Sequence, residues 1–198
     1  ALYLTPPMDR FQDNVIYING SEQYASTPLY TTLAHEGYPG HLYQTVYFSS
    51  VCDEPVRHLL SFPAYTEGWA TYAEFQSYYF DNGLSPQLQD LLMHNQAVSL
   101  GIHALLDLNI NYYGWTEDQT AAFLEETYGI TDRETVNRMF EAMVDNPSNY
   151  LEYYVGWLEI QEMREQAEET LGTGFNAMDF HTFLLDIGPA PFSLIRTC

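Results

Sequence analysis

Prolines punctuate this sequence at the places where helices begin. Phe62-Pro63, Ser85-Pro86 and Asn146-Pro147 each stand ahead of a run whose apolar residues recur at helical spacing, as does Thr27-Pro28. Proline suits a first helical turn, where its missing N–H has no intrahelical partner to lose. The pair Thr27-Pro28 adds a capping hydroxyl and opens a run to about Phe48. The second run ends near Asp81-Asn82-Gly83, and the third extends through about Asn111. Thr116 to Gln119 and Thr131 to Glu134 both read as capping boxes. From Asn146-Pro147 a long helix runs to about Leu171 and stops at Gly172-Thr173-Gly174; a short one over Asp179–Ile187 stops at Gly188-Pro189. Before Ser26 the chain is rich in Pro, Asn and Tyr, with β-like alternation at Val15-Ile16-Tyr17-Ile18, and reads as extended lead-in or an edge strand. Linkers are short and no repeat is present. The expected fold is all-α, mainly helical: a single helical domain over residues 1–198 with a short extended N-terminal segment, 1–26.

The charge narrows the partners. The 198 residues carry a net charge of −21, and all six basic residues are arginines (Arg10, Arg57, Arg133, Arg138, Arg164, Arg196). A surface so acidic repels phosphate backbones and anionic membranes, so no nucleic-acid partner is expected. No run is long enough to span a membrane. Cys52 and Cys198 form neither a disulfide framework nor a CxxC pair. The chain starts at Ala1 without a signal peptide, which processing or trimming would also explain. The acidic, lysine-free, tyrosine-rich composition leans towards an exported protein, extracellular or a cell-surface lipoprotein.

The chemistry concentrates at His35-Glu36-Gly37-Tyr38-Pro39-Gly40-His41. Zinc hydrolases need imidazoles and a carboxylate around one ion, plus a carboxylate beside the attacking water. On the usual helix the two histidines are four residues apart, and the residue after the first is the base. Here His35-Glu36 supplies the first half, but Pro39 occupies the expected second histidine and the next one is His41. Residues six apart on an ideal helix point about 120° away from each other and cannot share an ion. Pro39-Gly40 can break or bulge the helix and return His41 to the same face; a straight helix through Gly37–Leu42 could not. Read alone, the segment also fits a buried helix with two histidines about a proline kink. The next helix alters the balance. Thr66-Glu67-Gly68-Trp69-Ala70-Thr71-Tyr72-Ala73-Glu74 brings Glu67 at a separation that lets a returning helix present its carboxylate to the same ion. Glu74, one heptad on, shares that face and either orients a ligand histidine or is solvated.

These motifs resemble the bacterial domain of unknown function 885. Its pattern His-Glu-x-x-Pro-Gly-His-x-x-Gln stands here as His35 through Gln44, and its Glu-Gly-Trp-Ala-x-Tyr-x-Glu as Glu67 through Glu74. Gly114-Trp115-Thr116, the segment Pro147 to Gly156 with Tyr153 on the family's tyrosine, and Phe180-His181 with Gly188-Pro189-Ala190-Pro191 continue the likeness over essentially the whole chain. The resemblance implies a thermolysin-like helical metallopeptidase fold, His35, His41 and Glu67 as zinc ligands, and Glu36 as general base. It departs at three places: Ser148 replaces a glycine, Asn111 a histidine, and His103 an arginine. Family members are much longer, so the chain resembles their C-terminal, metal-bearing part, and a preceding N-terminal region is expected to complete the cleft.

Tyr153 is the candidate for hydrogen-bonding the oxyanion of an attacked carbonyl. Arg164 follows it at helical spacing and would hold either a substrate carboxylate or an internal acid. Glu74, Arg164, His103 and His181 complete the candidate set around ligands or substrate, although His103 and His181 also read as structural. His58 and His94 show no partner pattern, and Trp69, Trp115 and Trp157 read as core. The expected function is a zinc-dependent metallopeptidase-like hydrolase acting on a peptide or small amide through a metal-activated water, with this portion alone not necessarily active. The alternative is a non-catalytic exported binding module on the same fold, motivated by Asn111 and the absent N-terminal region.

Overall fold

The proline and capping signals fix most of the helix starts, and where they fail a stronger local acceptor is present. In the computed structural model, residues 1–20 and 29–198 are described. The start expected at Thr27-Pro28 therefore lies outside the described residues, and α1 is described over Leu29–Glu36. A second helix, α2, follows at His41–Val51. Phe62 is the N-cap of α3, Pro63–Ser77, with Pro63 in its first turn. The Ser85 hydroxyl caps α4, Pro86–Asp107, by accepting from the Leu88 N–H. A π-helical turn, Leu108–Tyr112, continues α4. Thr116 and Gln119 form the expected reciprocal box at α5, Glu117–Tyr128.

Four expectations shift. The box from Thr131 does not form. Asp132 caps α6, Arg133–Asp145, instead, its carboxylate accepting from the Thr135 N–H at 2.9 Å and the Thr135 hydroxyl at 2.6 Å. A carboxylate is the better partner for the positive end of a helix. The long helix α7 spans Asn149–Leu171, starting after Ser148 rather than at Asn146-Pro147. The next, α8, runs over Ala177–Ile187, entered earlier than expected because the Asn176 side chain accepts from the Met178 N–H. The four-residue α9, Phe192–Ile195, is too short for any periodicity to announce it. The alternation at Val15 becomes strand β2, Val15–Tyr17, paired antiparallel with β1, Leu2–Leu4, in the register Leu2 with Tyr17 and Leu4 with Val15. The protein is thus mainly helical with one two-stranded sheet among the described residues. No helix among those residues is long and apolar enough to cross a membrane.

The most extensive pairing is α3 with α7, with α1 against α3 and α4 against α7. Two glycines allow it. A Cβ on Gly68 would stand 2.7 Å from Gly156 Cα, and one on Gly156 would run into the Ala64 carbonyl oxygen. The backbones of α3 and α7 therefore touch at this crossing. Tyr65, Trp69 and Tyr72 of α3 pack with Ile160, Leu184 and Ile195 on one side. A second core of Leu106, Leu124, Val136 and Met143 joins α4 to α5 and α6. Burying these large side chains supplies the main driving force, roughly 1.5–3 kcal/mol each.

A buried carboxylate sets the start of α7. Asp107 is fully buried. Its Oδ1 accepts from the Ser148 N–H at 2.9 Å and from Asn111 Nδ2 at 2.8 Å, and its Oδ2 from the Tyr150 N–H at 3.2 Å. The Asn111 amide also donates to the Met143 carbonyl at 3.0 Å. Ser148 adopts φ 73 in this arrangement, the left-handed conformation that a glycine would take at less cost. Asp107→Ala would strand two backbone donors at about 1–3 kcal/mol each. Urea denaturation is expected to show a loss of about 3 kcal/mol, partly recovered in Asp107→Asn; an unchanged midpoint would contradict the anchoring role.

Candidate metal centre

The two histidines come from different helices. α1 ends at Glu36, the chain turns through Gly37–Gly40 with a cis Tyr38–Pro39 bond, and α2 restarts at His41. The helix is broken rather than straight or bulged. Four contacts hold the turn: Gly37 N–H to Leu33 O at 2.9 Å, Gly40 N–H to Ala34 O at 2.9 Å, Tyr43 N–H to Gly37 O at 3.2 Å, and the Trp69 indole N–H to Pro39 O at 2.9 Å. A Cβ on Gly40 would collide with the His35 carbonyl oxygen, so the return is tight enough to require glycine. Trp69, read from sequence as core, is buried and also ties α3 to the turn. The His35 and His41 rings end up edge-on with centroids 4.8 Å apart.

Glu67 rises from α3 between them. Its Oε2 stands 3.2 Å from His41 Nε2 and 3.5 Å from His35 Nε2, and one ligand atom from each residue lies within 4.8 Å of the others. Zinc bonds of about 2.0–2.1 Å, arranged tetrahedrally, hold neighbouring donors about 3.3 Å apart. The two separations to Glu67 fall on either side of that value, and the third, between the two imidazoles, is wider at up to 4.8 Å, so the rings would close on an ion as it bound. Glu67 Oε2 is buried and makes no regular hydrogen bond among the described residues, as expected of an atom shaped for a cation. The donor set thus fits zinc in its chemistry and burial, and in its spacing about Glu67. On the far side of His35, Glu74 Oε2 lies 3.1 Å from Nδ1. A carboxylate can only accept, so Nδ1 carries the proton and Nε2 is the nitrogen presented to Glu67.

Charge is shared across this cluster. Burial opposes charge on His35, but Glu67 and Glu74, one on each ring nitrogen, outweigh it and raise the imidazole to about 9. Burial likewise pushes Glu67 up, and His35 and His41 pull it well below the ordinary carboxylate range. Tyr153 comes from α7, half-buried, its ring stacked on His35 with centroids 5.8 Å apart. Burial and the Glu67 carboxylate, followed by Glu36 and Glu152, push its phenol upward, so it remains a donor.

Glu36 is not among the three converging donors. It opens on the same cavity of about 280 Å³, lined also by His35, His41, Glu67 and Tyr153. Its Oε2 accepts the backbone N–H of Tyr3 in β1 at 2.8 Å, and Oε1 has no hydrogen bond among the described residues. Sequence reasoning missed Tyr3, and no side-chain signal could have found it, because the contribution comes from the main chain. Tyr3 is itself buried, with its hydroxyl donating to Asn14 Oδ1 at 2.6 Å.

The remaining candidates lie elsewhere. Arg164 donates from Nη1 to the Tyr72 hydroxyl at 2.6 Å and from Nε to Glu168 at 2.8 Å, so it serves an internal acid. His181 Nε2 meets the same Tyr72 hydroxyl at 2.9 Å and sets its ring edge-on to Trp69. Burial, then Arg164, lowers its pKa and keeps it neutral as an acceptor. His103 bonds the Ser99 carbonyl through Nδ1 at 2.7 Å and packs against Tyr150. None of the three lines the cavity containing the triad.

Two solved structures share this architecture. One is a protein from Colwellia psychrerythraea, provisionally named a lipoprotein; it is 27% identical, with a TM-score of 0.81 over 99% of this chain and 34% of its own. The other, from Shewanella oneidensis, is likewise provisionally named a lipoprotein and is of unknown function; it is 28% identical, with a TM-score of 0.71 over 93% of this chain and 35% of its own. The chain thus spans about a third of the length of either structure. No curated protein matches it. The sequence matches a family along residues 1–197, and the chain accordingly belongs to the family described as bacterial protein of unknown function (DUF885).

Proposed function

We propose that this chain carries the metal centre of an exported zinc-dependent peptidase acting on peptide or small amide bonds. The observation that supports it best is the meeting of His35, His41 and Glu67 within 4.8 Å, beside a carboxylate, Glu36, that opens on the same cavity without joining them. Bound zinc would supply Lewis acidity and lower the pKa of water. Glu36, fixed by the Tyr3 N–H on Oε2, is placed to take a proton from water on Oε1 and to pass it to the leaving amine. Tyr153, protonated and aimed into the cavity, would donate to the carbonyl oxygen as charge develops there. The two similar structures, both provisionally named lipoproteins, support the exported setting. A further region preceding this chain, in keeping with the greater length of the two similar structures, would complete the cleft.

Elemental analysis of the purified protein tests the proposal, with one zinc per chain expected, removed by a chelator and lost in Glu67→Ala. Uptake should also release a proton. His35, raised to about 9 in the metal-free cluster, is charged at neutral pH, and it must give up the Nε2 proton to become a ligand. Apparent zinc affinity should therefore climb with pH until about pH 9 and then level. Calorimetry in buffers of different ionisation heat measures the proton count. Failure to take up supplied zinc would end the peptidase reading.

A further inference from the structure

The metal-site cavity does not stop at the triad. It shares Thr5, Gln44, Thr45 and Thr66 with a neighbouring cavity of about 130 Å³, which continues past Phe48 to Arg57 and His58. His41, Gln44, Thr45 and Phe48 recur at helical spacing on one side of α2, so the combined cleft follows that helix. From His41 to Phe48 the rise is about 10 Å, at roughly 1.5 Å per residue. An extended peptide covers that distance in about three residues, at roughly 3.3–3.6 Å each.

Arg57 stands at the far end, and its pairing is unlike that of the other arginines. Arg10, Arg133, Arg138, Arg164 and Arg196 each lie within 4.0 Å of a carboxylate. Arg57 has no carboxylate partner among the described residues, in a chain with 27 acidic side chains. Its Nη2 donates to the Ile187 and Pro189 carbonyls at 2.7 and 3.2 Å, and its guanidinium sits 5.5 Å over the Phe48 ring. Those contacts fix the plane of the guanidinium. They leave Nε and Nη1 without a hydrogen-bond acceptor among the described residues, on different edges of the guanidinium, so each can offer one charge-assisted hydrogen bond to an anion.

We propose that Arg57 is a specificity residue that binds a substrate carboxylate about three residues from the bond under attack. The identity of the ligand as a peptide rests on the peptidase reading above. The carboxylate is either the C-terminus of the substrate or an acidic side chain, and both present the same carboxylate oxygens to the guanidinium. In a protein of net charge −21, a cationic end to the cleft offsets the repulsion that an acidic substrate otherwise meets.

The test compares three probes: acetylated penta-alanine with a free C-terminus, the same peptide amidated, and an amidated version carrying one glutamate. Binding is measured by calorimetry on the zinc-loaded protein with Glu36→Gln, so that no turnover is needed. The free-acid or the glutamate peptide should bind about 10- to 100-fold more tightly than the neutral amide, the range expected for charge-assisted hydrogen bonds. Which of the two gains identifies the source of the carboxylate. Arg57→Gln should erase the preference, and Arg57→Lys should reduce it at least threefold, with the affinity of the neutral amide unchanged in both. With Glu36 intact, the loss should fall on KM rather than kcat. Equal binding of acid and amide by the parent protein overturns the proposal, as does a preference that survives both substitutions. A uniform loss for all three peptides would mean that Arg57 only caps the end of α8. If Arg57→Gln fails to fold, Arg57→Lys decides. Arg57-dependent binding without hydrolysis in the Glu36 protein would instead refute the peptidase reading and leave the anion site standing.

Discussion

Glu36→Gln is expected to lower peptide hydrolysis by about 10²- to 10⁴-fold while the metal content stays at the parent level, the usual range for loss of a general base. Both halves follow from the geometry. Glu36 lies outside the donor triad, so replacing it removes no ligand. Glutamine keeps the shape, and its carbonyl oxygen can still accept the Tyr3 N–H. What it cannot do is take up a proton. Parallel assays of zinc content and of kcat on a peptide library measure the two effects separately. Loss of zinc in the variant would make Glu36 a ligand, and full activity would remove it from the reaction.

The second large effect concerns the crossing of α3 and α7. In an exposed helix, replacing glycine by alanine gains about 1 kcal/mol. Gly156→Ala should do the reverse and cost about 3 kcal/mol or more, because the new methyl meets the Ala64 carbonyl oxygen and the Gly68 backbone rather than a side chain that could turn away. Relief requires α7 to move off α3. That movement would shift Tyr153, one turn earlier on α7, relative to His35 and Glu67 on the other side of the crossing. Thermal or urea unfolding measures the stability loss, and activity at a temperature where the variant remains folded measures the displacement. A stabilised Gly156→Ala would show that the helices are not in backbone contact.

The helical order was legible because Pro63 and Pro86 announce their helices and Thr116 with Gln119 caps a third. Local chemistry at these starts does not depend on the rest of the fold. Asp132 displaced Thr131 because acceptor strength, which a motif does not rank, decides the cap. The β1–β2 pairing was not legible, since strands of three residues carry too little alternation to indicate a partner. At the candidate site, His35, Glu36, His41 and Glu67 stand out by residue type, and Pro39-Gly40 signals a break or bulge without deciding between them; the break is set by the turn itself. The sequence does not reveal the contribution of a main-chain donor such as Tyr3, or of a lone buried acid such as Asp107. Neither belongs to a repeating pattern, and each acts on a segment distant in the chain.

The three converging donors sit on the first three helices, whereas Tyr153 is on the seventh. Closing the short stretch from His35 to Glu67 costs little chain entropy. In the proposed reading, an ion can thus be captured while the C-terminal half is still unfolded, and it then acts as a staple for α1–α3. Tyr153 arrives only when α7 docks at the glycine crossing. On that reading, metal loading and catalytic competence would be separate events in the history of each molecule, with the centre inert until the last long helix is in place.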